Sequence, residues 1–240
     1  KKARVMETLG RRDDPRAISL ISLAEAGLRE RFPDKVIKET EGMDVPEVKG
    51  REDLRDIPLV TIDGIDARDF DDAVFAEKVE EGFHLIVAIA DVAYYVRPYS
   101  DLDKEAQRRG NSTYFPDRVV PMLPEALSNE LCSLKPNVPR ACLAVHMWID
   151  NNGKLLRYKF VRGLMRSAAR LVYEQVQAAY DGVADDVTKP LLEPVIKPLY
   201  DAFKILDAAR RERGALELDL PERQVLINAK GNMTGVKMRT

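Results

Sequence analysis

Apolar and polar positions along the chain predict short strands alternating with helices. Pro58-Leu59-Val60-Thr61-Ile62 reads as a buried strand, Ala73-Val74-Phe75-Ala76 as a second and Phe83 to Ala90 as a third, with Glu80-Glu81-Gly82 turning the chain before the third. Ala141 to Ile149 and Leu155 to Leu164 read as strands joined by the hairpin signal Asn151-Asn152-Gly153. Gln224 to Ala229 and Gly235 to Met238 predict a last hairpin around Lys230-Gly231-Asn232. Asp13-Asp14-Pro15 opens a helix with Asp at its cap and Pro in its first turn. Its imperfect apolar stripe runs Ile18, Leu20, Ile21, Leu23, Leu28, Phe32, and Pro33 closes it. Further helices are expected over Asp101 to Arg109, ending at Gly110, and briefly over Pro124 to Leu131. Another is expected from a Ser167 cap to Tyr180, and a longer one over about Pro190 to Arg213 with Pro194 and Pro198 in its early turns. Residues 34–56 are rich in charge and hold Gly42, Pro46 and Gly50, which reads as a linker wrapping over a surface. Residues 1–12 read as the last strand of a preceding module. The expected fold is α/β (α+β), a mainly antiparallel sheet with helices around it.

Where the first buried strand ends, the segment Asp63 to Asp72 packs five aspartates into ten positions. Carboxylates this close cannot all stay ionised without compensation. Divalent cations such as Mg²⁺ and Mn²⁺ compensate well, because they prefer hard oxygen ligands. Asp63, Asp69, Asp71 and Asp72 follow the spacing D-x5-D-x-D-D, with Asp63 ending one strand and Asp72 beginning the next. A tight loop between the strands can bring both carboxylates to one ion. Asp71 and Asp72 point to opposite sides of an extended chain, so they can serve different ions. Asp66, beside Arg68 at the loop tip, reads as a turn residue. The alternative is a solvated acidic loop, against which the flanking buried strands argue. The D-x-D-x-D-G order and terminal Glu of an EF-hand are missing. Paired cations can clamp both oxygens of a phosphodiester cleavage, so metal-dependent phosphoryl chemistry is the first expectation.

Composition narrows this further. A net charge of -2 supplies no basic field over the whole chain, so nucleic-acid binding would need local patches. Between Asp150 and Glu174 no acidic residue occurs, while Lys154, Arg157, Lys159, Arg162, Arg166 and Arg170 do. That stretch reads equally as a phosphate path or as a solvated hairpin face. Cys132 and Cys142 lack CxxC spacing, and with only two histidines no zinc site is expected. Buried reduced thiols in a cytoplasmic protein are the expectation. Apolar runs fall short of the ~20 residues needed to span a membrane, and no membrane or protein partner is readable. The chain starts at Lys1 rather than Met, and an excised piece of a longer protein is expected.

Several ordered stretches together resemble the ribonuclease II/ribonuclease R family of RNB-domain exoribonucleases. Leu59 to Gly64 through Asp69-Phe70-Asp71-Asp72-Ala73-Val74 carries its acidic signature, and Ala88 to Val96 is similar to its next strand. Arg109 to Pro116, Val120 to Pro124, Leu127 to Leu134 and Ala169 to Tyr173 match its later motifs. The resemblance implies that residues 51–240 are the N-terminal portion of the RNB catalytic domain. Residues 1–50, more weakly, would be a linker with one helix following a cold-shock-like module. It implies a processive 3′→5′ exoribonuclease that releases nucleoside 5′-monophosphates with Mg²⁺ or Mn²⁺ from the 3′ end of single-stranded RNA. Asp63, Asp69, Asp71 and Asp72 match the family's catalytic aspartates: Asp63 and Asp72 as direct metal ligands, Asp69 through water, Asp71 for chemistry. Tyr114 matches a tyrosine on the 3′-terminal nucleotide, and Tyr173 one near the ribose. Arg166 and Arg170 join them as expected RNA contacts. Asp91 reads as a supporting or structural carboxylate. Because the family's domain continues past Thr240, a piece that holds metal but cleaves weakly or not at all is expected. The competing reading is a non-catalytic RNA-binding module that retains the fold.

Overall fold

The computed structural model describes residues 3–5, 8–11, 13–65, 67, 69–216 and 220–239. In chain order these residues form α1 (Ala17–Glu25), α2 (Asp34–Thr40), β1 (Glu52–Leu54), β2 (Val60–Asp63), β3 (Asp72–Val79) and β4 (Gly82–Ala90). Next come α3 (Val92–Tyr95), α4 (Asp101–Arg109), β5 (Thr113–Tyr114), β6 (Val119–Val120), β7 (Pro139–Asp150), β8 (Leu155–Arg166) and β9 (Ala169–Val172). The last are α5 (Tyr173–Tyr180), α6 (Lys197–Glu212), β10 (Glu222–Ile227) and β11 (Met233–Arg239). The chain divides into two compact units, residues 42–97 with 125–216, and residues 1–41 with 98–124 and 217–240.

The first unit is built on a seven-stranded sheet in the order β1-β8-β7-β4-β3-β2-β9. Neighbours from β8 to β2 are antiparallel, whereas β1 on β8 and β9 on β2 are parallel. The mainly antiparallel mixed sheet with surrounding helices agrees with expectation. Central β4 is buried along most of its length, with Ile86 and Ala88 fully inaccessible. The β3–β4 turn depends on Gly82, whose φ of +148° favours glycine and where a Cβ would sit 2.3 Å from the Ile149 carbonyl oxygen. The β7–β8 hairpin forms at the expected turn, where Asp150 Oδ1 accepts hydrogen bonds from the N–H groups of Asn152 (2.8 Å) and Lys154 (2.9 Å). Two apolar clusters fix the helices on this sheet. Val60, Ala169 and Leu171 pack with Val176, Ala179, Val195 and Ile196. Ala76, Phe83, Leu85 and Ile149 pack with Ala202 of α6. Each large side chain buried here contributes roughly 1.5–3 kcal/mol.

Several expected elements differ. Ser167 does not cap a helix: its hydroxyl donates to the Ala169 carbonyl (3.0 Å), Ala169–Val172 is strand β9, and α5 begins only at Tyr173. Parallel pairing with β2 outweighs the local helical pattern there. Residues 34–56 are not simply a linker, since they hold α2 and the short edge strand β1. The long C-terminal helix is broken early: Lys189–Leu191 is a 3₁₀ turn, Leu192–Ile196 a π turn, and regular α6 starts at Lys197. In a helix continuous from Pro190, Pro194 and Pro198 would have no N–H to donate to the carbonyls four residues earlier, whereas with α6 starting at Lys197, Pro198 falls in the first turn, where its N–H is not needed.

In the second unit, α1 stops at Glu25 instead of continuing to Phe32. Gly27 at φ +69° leaves the helix, and Leu28 N–H bonds back to the Leu23 carbonyl (2.9 Å). Helix α4 matches the expected span. Ser100 Oγ accepts from Asp103 N–H (3.0 Å), and the Glu39 carboxylate accepts from Asp101 N–H (2.9 Å) and Leu102 N–H (2.8 Å). The β10–β11 hairpin also falls where predicted. The expected strand within residues 1–12 does not form among the described ones, and its Lys1, Lys2, Met6 and Arg12 lie outside them. Among the described residues no helix is long and apolar enough to cross a membrane.

Candidate active site

Strand β2 delivers Asp63 as its last residue and β3 receives the chain at Asp72. Asp63 is in register with Val172 of β9, and Asp72 with Ile89 of β4. The intervening loop is held by its backbone. Arg170 of β9 donates through Nη2 to the carbonyls of Ile65 (3.0 Å) and Ala67 (3.2 Å), and its guanidinium lies 4.6 Å from the Phe70 ring centroid. Phe70 N–H donates to Ser133 Oγ (3.3 Å), and its carbonyl accepts from Leu134 N–H (2.6 Å). The Asp71 carbonyl accepts from Ala90 N–H (2.8 Å). Asp69 and Asp71 therefore flank a residue fixed on both sides of its peptide. Asp66 and Arg68, read as tip residues, lie outside the described residues.

Electrostatics mark Asp63 and Asp72. Burial, then the charges of Asp72, Asp71 and Asp69, push the Asp63 carboxyl above its ordinary pKa, with Arg170 partly offsetting them. Burial and then Asp71 push Asp72 up as well. Asp63 Oδ2 and Thr61 Oγ1 are buried with no hydrogen-bond partner. A buried carboxylate oxygen without a donor is costly unless positive charge reaches it. The donor set is hard oxygen and the surplus charge is negative, which fits Mg²⁺ or Mn²⁺ better than a soft metal. Among the described residues no three His, Cys, Asp or Glu side chains are already drawn close enough to hold a metal ion.

The remaining expected site residues divide by unit. Tyr173, exposed, is the first residue of α5 and follows directly on Val172, the register partner of Asp63. Arg166 ends β8, donating to the Arg55 carbonyl (3.4 Å) near Asp56. Tyr114, also exposed, lies on β5 in the other unit. In the basic stretch, Arg157 pairs with Glu81 (3.2 Å) and lies over Trp148, and Lys159 pairs with Glu52 (2.6 Å). Those two side chains form a paired hairpin face. Asp91 has a structural partner, a buried ion pair with Arg51. The backbone supports from Ser133, Leu134 and Ala90 were not legible as such. Leu127 to Leu134 stood out as a motif, but a side chain bonding to a distant N–H leaves no local pattern.

Residues 51–240 match the RNB domain, and the chain belongs to that family. Its relatives are ribonucleases R. The one from Vibrio parahaemolyticus serotype O3:K6 is 46% identical over 98% of this chain, which spans 29% of that protein. The one from Escherichia coli K12 is 47% identical over 85% of this chain, which spans 24% of that protein. The fold is similar to Mycoplasma genitalium RNase R in complex with double-stranded RNA, with a TM-score of 0.92 at 29% identity over 97% of this chain and 42% of that one. Yeast Ssd1, a pseudonuclease, shares the fold at 17% identity and a TM-score of 0.63 over 77% of this chain and 24% of its own.

Proposed function

We propose that this chain carries the aspartate centre of a processive 3′→5′ exoribonuclease that hydrolyses single-stranded RNA to nucleoside 5′-monophosphates. The observation that carries this reading is the half-buried Asp63, with an unpartnered oxygen and a raised pKa, in the field of Asp72, Asp71 and Asp69. The ribonuclease R relatives, and a neighbour solved with RNA, support RNA as the substrate. Asp63 and Asp72 would hold Mg²⁺ or Mn²⁺ directly, with Asp69 acting through water. The cation, when bound, activates water and neutralises charge on the cleaved phosphate. Asp71, exposed beside the fixed Phe70 peptide, serves the chemistry rather than RNA binding. Tyr173 borders the strand end that carries Asp63, where it can meet a ribose and read the 2′-OH. Tyr114 offers an aromatic face to a terminal base, and base stacking tolerates any sequence. Arg166 supplies positive charge toward the RNA backbone, whereas Arg170, expected with it as an RNA contact, is turned onto the carbonyls of Ile65 and Ala67. Burial pushes the free thiols of Cys132 and Cys142 up to about 12, so both stay protonated, as suits a reducing cytoplasm.

The test is incubation of a 5′-labelled single-stranded RNA with this chain and with Asp71→Asn, with and without Mg²⁺. Metal-dependent shortening from the 3′ end, lost in Asp71→Asn while RNA binding persists, is the expected result. RNA binding without shortening, in this chain and in a longer one containing it, would favour a non-catalytic RNA-binding module.

A further inference from the structure

Arg170 is exposed, yet its Nη2 is committed to two carbonyls of the acidic loop and its guanidinium to the face of Phe70. Ile65 and Ala67 lie between Asp63 and Asp69, and Phe70 lies between Asp69 and Asp71. One side chain thus grips the loop at both intervals that separate the aspartates. Its own backbone is fixed, because Arg170 sits on β9 in register with Thr61 of β2. From these contacts we infer that Arg170 is a positioning residue, holding the aspartate loop in the form that accepts a divalent cation. It acts through the loop backbone and not chiefly through a phosphate. The inference rests on the metal-site reading above.

Charge makes the inference discriminating, because a cation beside the aspartates repels a metal ion. If Arg170 acted only as a charge, removing it would tighten metal binding. If it positions the loop, removing it weakens binding despite the lost repulsion. If it contacts RNA phosphate, removing it lowers the slope of log affinity against log salt by about 0.7 on a single strand. Lysine cannot replace the planar group, since an ammonium cannot lie flat on a ring while donating to two carbonyls.

The experiment compares this chain with Arg170→Gln and Arg170→Lys. Mn²⁺ affinity is read by titration calorimetry. Binding of a labelled single-stranded RNA is read across a salt series in EDTA. Circular dichroism checks that each variant is folded. The expected result is Mn²⁺ binding weakened about tenfold or more in both variants, the scale seen when groups orienting metal ligands are lost, with the salt slope unchanged. Unchanged or tighter Mn²⁺ binding in Arg170→Gln, full affinity in Arg170→Lys, or a reduced salt slope would each overturn the assignment. If the unsubstituted chain itself fails to bind Mn²⁺, the metal-site reading falls first, and the positioning role falls with it.

Discussion

Arg51 and Asp91 form an ion pair at 2.8 Å with side chains only 7% and 4% exposed. Arg51 also donates to the Gly163 carbonyl (3.2 Å), and Asp91 N–H bonds the Ala141 carbonyl (3.0 Å). The pair therefore ties the end of β4 to β7 and β8. One residue earlier on β4, Ala90 holds the Asp71 carbonyl. Removing either partner strands a buried charge and should cost about 3–5 kcal/mol. Urea unfolding of Arg51→Ala and Asp91→Ala measures it, and a loss below about 1 kcal/mol would show the pair to behave like a surface contact. The double variant Arg51→Met with Asp91→Leu should lose much less than either single change, because no lone charge remains.

Metal binding should be visible in stability. A ligand that binds only the folded chain raises stability by about 2.7 kcal/mol at a concentration 100 times its Kd. Mg²⁺ or Mn²⁺ is expected to raise the melting temperature of this chain in differential scanning calorimetry, and EDTA to reverse it. Asp63→Asn and Asp72→Asn should abolish the shift. An equal shift in both variants would place the cation elsewhere.

Tyr173→Ala should weaken single-stranded RNA binding by about 0.5–1.5 kcal/mol, the scale of one hydrogen bond to a ribose. Anisotropy with RNA and DNA of one sequence separates stacking from ribose reading. A larger loss on RNA than on DNA is expected, and equal losses would remove the 2′-OH from its role.

Asp185, outside the acidic loop, gives a pH-dependent test through its bond from the Gln175 side chain. The Gln175 side-chain donor, and then the Thr188 backbone and hydroxyl, lower its carboxyl from an ordinary 3.8 to about 2. A depressed folded-state pKa contributes stability above the unfolded value that is lost as pH falls through the folded one. Asp185→Asn should therefore be less stable than the parent at pH 7, with the gap closing between about 4 and about 2. Denaturant midpoints across that range check it, and a constant gap would show that hydrogen-bond geometry rather than charge matters.

Much of the fold was legible because its information is local. Strands β3, β4, β7 and β8 are long runs bounded by turn residues, and α4 carries Ser100 before it and Gly110 after it. The aspartates announced themselves by density and by their place between two strands. What stayed hidden depends on distant partners. Ala169–Val172 offers four residues to read, and its identity as a strand comes from β2. β1 has three residues and exists through pairing with β8. Arg170 looked like one of six basic residues in a row, yet its contacts lie on a loop far earlier in the chain.

The parallel pairing of β2 with β9 has a consequence for timing. Val60 meets Ala169 and Asp63 meets Val172, so β2 waits for a partner made much later, and such non-local pairings are slow to form. During synthesis the four aspartates leave the ribosome long before the edge strand that braces them and the arginine that grips their loop. A nascent chain stalled between Asp72 and Ala169 thus holds the four aspartates without β9 or Arg170, and the order of residues along the polypeptide delays assembly of the acidic loop's supports until most of this segment has emerged.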